Sequence, residues 1–503
     1  MTPVLKEEAK QKSALRLLPI TRNFPFFAGI SLLFGLAYTF CLYENPCGIT
    51  YPLFTFFACC CGIHICKKLA IPIKKESWFL LAAALLIGIS TCRTADLRLH
   101  RMNNLALLLL GLVFALHQFY EEEDWNIGKY LSSMLLYLLQ AAAAFPLPFE
   151  HAAGYKKESG AKGFRLLLFL LTGFAAAIPI SAVLIGLLCQ ADVVFASMVR
   201  WLAVHLFSPA ALVKITLQIL FGFFALYCLV CSGCLQGISK AVPNRQRIHP
   251  AIAVTCMASI SLVYLLFCLI QIFYLFLGKG TLPEGYTYAS YARQGFFQLL
   301  WVAFFNLVMV LCCLKYVRPH IWLRIFLTII CVCTYVMIAS ASYRMALYVQ
   351  QYHLTWLRIL VLWFLAMLFV LMAGVSMIVW KPSFRLFPYC LLVVTVFYTG
   401  LAWARPDAIA ARDYVSRLTP DTVTDLDLAW LSSDFSADAA PAAASLGLSL
   451  EELRIRSQLE YSSAGSFGWF WYISCNGEDC RQYPDGVRTY NFSIARARKL
   501  FQQ

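Results

Sequence analysis

The run Ile359-Leu-Val-Leu-Trp-Phe-Leu-Ala-Met-Leu-Phe-Val-Leu-Met-Ala-Gly-Val-Ser-Met-Ile-Val-Trp380 holds no Asp, Glu, Lys, Arg or His. A helix of about 20 apolar residues crosses the roughly 30 Å hydrocarbon core of a bilayer. This run is long enough to do so, and no charge within it would have to leave water. Working outward, stretches of the same kind occur at 24–43, 49–66, 78–92, 105–119, 166–189, 213–235, 254–277, 295–314, 325–340 and 386–404. The fold class expected is an all-α membrane protein of about eleven transmembrane helices with a small mixed C-terminal domain. Residues 1–23 form a basic N-terminus, 24–404 the polytopic domain and 405–503 the C-terminal domain.

The composition agrees. Hydrophobic residues make up 61% of the chain and charged ones 13%, with a mean hydropathy of +0.70. A soluble chain carries about 25% charged residues, so the polar residues left here could not cover a water-facing surface. The formal net charge of +15 sits in short clusters between the apolar runs. There it meets the bilayer and its anionic lipid headgroups, which are the expected partners. No nucleic-acid-binding motif accompanies it, so no nucleic acid is expected.

Those basic clusters set the orientation, because short cytoplasmic loops are enriched in Lys and Arg. With the N-terminus inside, the cytoplasmic segments hold Lys67, Lys68, Lys74 and Lys75, then Lys156, Lys157 and Lys162, then Lys315, Arg318 and Arg324, then Lys381 and Arg385. A twelfth apolar stretch, 130–149, contains Gln140 and ends in Phe-Pro-Leu-Pro. Letting it span would invert every later loop, so it reads as a helix along the inner surface. The expected topology is N-terminus cytoplasmic and C-terminus extracytoplasmic. The first apolar run is too long for the h-region of a cleavable signal peptide, and no A-x-A site follows it.

Of the 20 cysteines, most lie inside apolar segments and behave as small hydrophobes. Cys231 and Cys234 have C-x-x-C spacing, but no second pair completes a zinc site. Cys475 and Cys480 differ, because they bracket Asn-Gly-Glu-Asp in the polar C-terminal domain. On the external side they either close a small disulfide loop or stand as two free thiols. The same domain shows helical patterns near 408–417, 448–459 and 492–501 and a strand pattern at 469–474.

Ionisable groups in or beside spans point to function, because unpaired charge in hydrocarbon is costly. Asp192 follows the fifth span, Gln271 lies near the end of the seventh, and Tyr291 and Arg293 precede the eighth. Arg344 and Arg358 flank the end of the ninth. Together they would form a site for an anionic group such as a lipid phosphate, since Arg offers a rigid fork of donors. The competing reading is an interfacial belt in which tyrosines and arginines only anchor the protein. The P-loop, the H-E-x-x-H helix and the G-x-S-x-G elbow are missing, so no cofactor or metal is expected. An ATPase or kinase is excluded.

At these segments the chain resembles a bacterial polytopic membrane family known only as a domain of unknown function. The blocks are Ala191-Asp192-Val-Val-Phe195, Gln271-Ile-Phe-Tyr-Leu-Phe276, Tyr288-Ala-Ser-Tyr-Ala-Arg293-Gln-Gly-Phe-Phe-Gln-Leu-Leu300, Ser342-Tyr-Arg344-Met-Ala-Leu-Tyr348, Leu354-Thr-Trp-Leu-Arg358 and Asp407-Ala-Ile-Ala-Ala-Arg412. The likeness covers about 166–441. The chain departs from the pattern at Arg405, where the family often has Asn, and at Trp430, where it has Tyr. The resemblance implies a bacterial cytoplasmic-membrane protein with no assigned activity. The expected function is a sensory or accessory membrane component whose C-terminal domain contacts a protein partner outside. The alternatives are a transporter of a small solute or lipid and a lipid-phosphate-dependent transferase.

Overall fold

The computed structural model describes residues 15–45, 47–122, 125, 127–158, 184–206, 209–238, 248–273, 288–418, 422–449, 451–453, 455–456, 469 and 486–501. After a short helix α1 at 15–22 come α2 (Phe24–Leu42), α3 (Thr50–Lys68), α4 (Lys75–Thr91), α5 (Leu97–Phe119), α6 (Ile127–Ala143) and α7 (Leu147–Glu158). Helix α8 covers 184–191. It is followed by α9 (Val193–Leu206), α10 (Pro209–Leu235), α11 (Pro250–Gln271), α12 (Tyr288–Tyr316), α13 (Ile321–Tyr352), α14 (Trp356–Trp380) and α15 (Leu386–Ala404). The C-terminal part, here called the tail, adds α16 (Pro406–Val415), α17 (Asp425–Ser433), a short helix Ala440–Ala444 and a last helix Phe492–Phe501.

Eight of these helices are long and apolar enough to cross a membrane, or nine if α6 and α7 count as one broken span. The chain is a multi-pass membrane protein. Among the described residues, two of the eleven expected spans fall short of that standard. Helix α4 has 17 residues, and α3 ends in Lys67 and Lys68. Both nonetheless pack in the bundle beside α2 and α5. The expected span at 166–189 lies mostly outside the described residues.

Contacts between loops sort the helix ends into two groups. At one end, Arg16 donates to the Leu235 carbonyl, Lys74 to that of Tyr120 and Gln236 to that of Phe119. Ile248 pairs with Val317 at the same end. This is the end that gathers Lys67, Lys68, Lys74, Lys75, Lys315 and Arg318, and we call it the basic end. At the other end the tail binds the loops after α2, α4, α13 and α15, so α2 to α5 and α10 to α15 each run from one end to the other.

The α6–α7 pair is bent by 52°, because Pro146 lacks an N–H and disfavours helix in the residue before it. It starts at the basic end, where Tyr130 stacks on Phe387. The bend passes Phe224 of α10, with the Phe145 ring 4.5 Å away. It then returns to the basic end, where Tyr155 meets Phe24. Both ends of the pair thus touch residues of the basic end. Tyr137 is fully buried and donates 2.6 Å to the Leu229 carbonyl, so the first arm is seated against α10 rather than lying free on the surface.

Helices α2 and α10 approach closest at glycine. A Cβ placed on Gly222 would lie 2.7 Å from the Gly35 Cα. Small residues of this kind let backbones meet where apolar burial gives no net drive between helices.

The tail is helical among its described residues, with no strand. Of the expected strand at 469–474 only Trp469 is described, in a helical position, and Cys475 and Cys480 lie outside the described residues. Its core is not its own. Ala410, Leu428, Leu431, Ala440, Leu453 and Ile494 pack with Cys47 and Ala95, which belong to loops of the bundle. Helix α16 starts one residue after α15 ends. Arg405 turns the chain at φ 55° and ψ 72°, and Pro406 opens the new helix, where a missing N–H costs nothing. The left-handed conformation strains a residue with a Cβ, and Asn tolerates it better. Thr424 and Asp427 close a reciprocal cap on α17, which satisfies two donors at its start.

Candidate functional site

Three carboxylates are buried where the tail meets the bundle. Asp96 is 2% exposed, Asp407 0% and Asp438 1%. Each is held by a different element. Asp96 ends the loop between α4 and α5 and caps α5, accepting from the Arg98 N–H at 2.9 Å. Asp407 sits in the first turn of α16. Asp438 sits in a short 3-10 turn, Ala437–Ala439.

Arg98 joins the first two. Its Nη2 donates to Asp407 at 2.6 Å and its Nε to Asp96 at 3.1 Å. The second oxygen of Asp407 accepts from the Ser436 N–H at 2.9 Å, and that of Asp96 accepts from the Trp356 indole at 2.6 Å. The Arg98 guanidinium also lies over the Trp356 ring. Asp438 accepts from the hydroxyls of Thr94 and Ser493 and from the Ala95 N–H at 3.2 Å. Asn491 completes the joint, donating 2.9 Å to the carbonyls of Cys47 and Thr94. The Phe492 N–H meets the Cys92 carbonyl at 2.9 Å. The α2–α3 loop, the α4–α5 loop, the start of α14 and the tail thus share one polar network.

Burial and the neighbouring Asp96 push the Asp407 carboxyl up to about 7, against the pull of Arg98. Burial also raises Asp438, opposed by its hydroxyl donors and by Arg405. Asp427 behaves the other way. Its partial burial is outweighed by donors from Tyr414 and Thr424, which hold it below the ordinary carboxylate range. A buried acid without full charge compensation holds its proton, and a solvated, hydrogen-bonded one releases it.

Of the residues singled out in the sequence, the structure joins two directly. Gln271 accepts from the Ser340 hydroxyl at 2.7 Å and from Arg344 at 3.2 Å. Arg358 lies near the same end of α13. Its guanidinium donates to the carbonyls of Tyr352 and His353 and covers the ring of Tyr348, one turn from Arg344. Asp192 caps α9, accepting from the N–H groups of Val194 and Phe195. No contact among the described residues links it to Gln271 or Arg344. Tyr291 and Arg293 fall in the first turns of α12 at the tail end, and their side chains lie outside the described residues.

Sequence reading missed a second polar group on the same helices. Tyr264 donates to Asn306 at 2.8 Å, and Asn306 donates to Thr334 at 2.9 Å. Asn306 and Thr334 are wholly buried. About two turns toward the tail end, the Gln271, Ser340 and Arg344 contact continues the seam between α11 and α13. A lone Asn in an apolar run was the available signal. The Asp96 and Asp438 network gave a weaker one, because its partners are hundreds of residues apart.

These features define a helical multi-pass membrane protein whose tail is seated on one end of its bundle. The chain belongs to the family described as a domain of unknown function, DUF4153, whose model matches residues 81–446. That match reaches further toward the N-terminus than the blocks quoted above, and it takes in Asp96, Arg98, Asp407 and Asp438. No curated protein and no solved structure matches the chain. Among the described residues no group of His, Cys, Asp and Glu could hold a metal ion.

Proposed function

We propose that this protein is a sensory or accessory component of a bacterial cytoplasmic membrane, with the tail on the outer side and the basic end in the cytoplasm. The basic clusters at one end support the orientation. One observation carries the function. The tail packs its core around Cys47 and Ala95 of the bundle, so a partner that moves the tail also moves the ends of α2 to α5 and α13 to α15. That coupling suits a component that reports an external contact to the membrane domain. The experiment is complementation of a deletion strain, with membrane abundance measured alongside. At equal abundance, a chain lacking 406–503 is expected to fail, and so is a full-length chain with Asn491→Ala. Full complementation by both would remove the tail from the function.

A transporter is the second reading, favoured by the Tyr264, Asn306 and Thr334 group inside the bundle. Polar groups at that depth line transport routes in many membrane proteins. Solute uptake into proteoliposomes, lost on Asn306→Leu with the protein still folded, would favour it over the first reading.

A further inference from the structure

The joint between tail and bundle has one guanidinium for two buried carboxylates. Arg98 reaches Asp96 and Asp407 together, and both acids are shut off from water. With both ionised, the group keeps one negative charge that no cation cancels. A single proton cancels it. When the tail lifts, α16 carries Asp407 away from Asp96 and into water, where the Asp407 carboxyl ionises freely.

The other charged groups around Asp407 do not remove that excess. From the α5 side come Asp96, Arg98 and His100, the last one turn into the helix and buried. From the tail come Asp434, whose carbonyl accepts from Arg98, and Asp438, itself an acid. On its own helix, Arg405 acts on Asp438. From α14, Arg358 is turned onto the Tyr352 and His353 carbonyls, and Trp356 brings only its indole. At the same loop, Asp413 caps the Leu354 N–H, and His353 rests on Tyr414.

We propose that this joint is a proton-operated latch: Asp407, buried beside Asp96 and Arg98, holds a proton while the tail is seated on the bundle and releases it when the tail lifts. The inference rests on the reading that tail position matters to the protein, and it adds what governs that position. The sign follows from linkage. The seated state binds more protons than the lifted one, so seating is favoured by acid. It weakens as pH rises from the ordinary carboxylate range to about 7, the value to which Asp407 is raised.

Hydrogen exchange on the full chain in lipid nanodiscs tests it, with protection of Pro406–Val415 and Phe492–Phe501 corrected for intrinsic exchange. The opening equilibrium should grow on the order of tenfold between about pH 5.5 and about pH 8. Asp407→Asn, neutral at every pH, should cut that change severalfold and keep the joint closed at alkaline pH. Asp96→Asn leaves one acid to one guanidinium and should do the same, which keeps the test open if the first variant fails to accumulate. Asp427→Asn lies outside the joint and should leave the slope as in the parent. A parent chain with flat protection, or an unchanged slope in the Asp96 and Asp407 variants, overturns the latch. Exchange reads the joint and complementation reads the tail's role, so either idea can fail while the other stands.

Discussion

The two buried polar regions of this molecule solve the same problem with different chemistry. The tail joint holds ionisable groups, namely Asp96, Asp407, Asp438 and Arg98, and meets their charge with loop N–H groups, hydroxyls and an indole. The seam between α11, α12 and α13 uses neutral amides and hydroxyls at Asn306, Thr334, Tyr264 and Ser340, and a cation among its described residues, Arg344, lies toward the tail end. The difference follows from what the backbone can offer. Inside a spanning helix every N–H is already bonded to a carbonyl of the same helix. At helix ends and turns, N–H groups remain free to bind a carboxylate. The buried acids of the joint therefore sit where the chain turns, while the seam inside the spans relies on neutral groups.

Asp438→Ala tests that contrast most severely. It strands the hydroxyls of Thr94 and Ser493 and the Ala95 N–H in a buried site, and stability should fall by about 3 kcal/mol or more. Denaturation in mixed micelles measures the loss. Asn306→Leu should cost about 1 kcal/mol, because a neutral hydrogen bond between spanning helices contributes little. If Asn306→Leu proves the more damaging of the two, the contrast is broken. Arg417→Ala removes an exposed charge pair with Asp413 and should change stability by less than about 0.5 kcal/mol. A larger loss there would mean that charge, rather than burial, decides the cost at the tail.

Sequence legibility divided along the same line. Gln271 and Arg344 were readable because a polar residue in an apolar run stands out, and the structure puts them in contact. Asp192 was readable for the same reason, yet it serves as a helix cap, a role that needs only its own next residues. Asp96 and Asp438 sit in polar segments where an aspartate draws no attention. Asp407 was noticed only as part of a family block. Asp438 becomes unusual only when Thr94 and Ser493, from distant parts of the chain, close over it.

What the sequence determined by itself is membrane residence, helical class and the sorting of charge to one end of the bundle. Those depend on local quantities, the length of each apolar run and the sign of the charge beside it. The tertiary structure alone decided that the tail shares its core with the loops of the bundle and that three acids are dry. Each of these is a relation between segments far apart in the chain, and burial is a property no segment has before it meets the others.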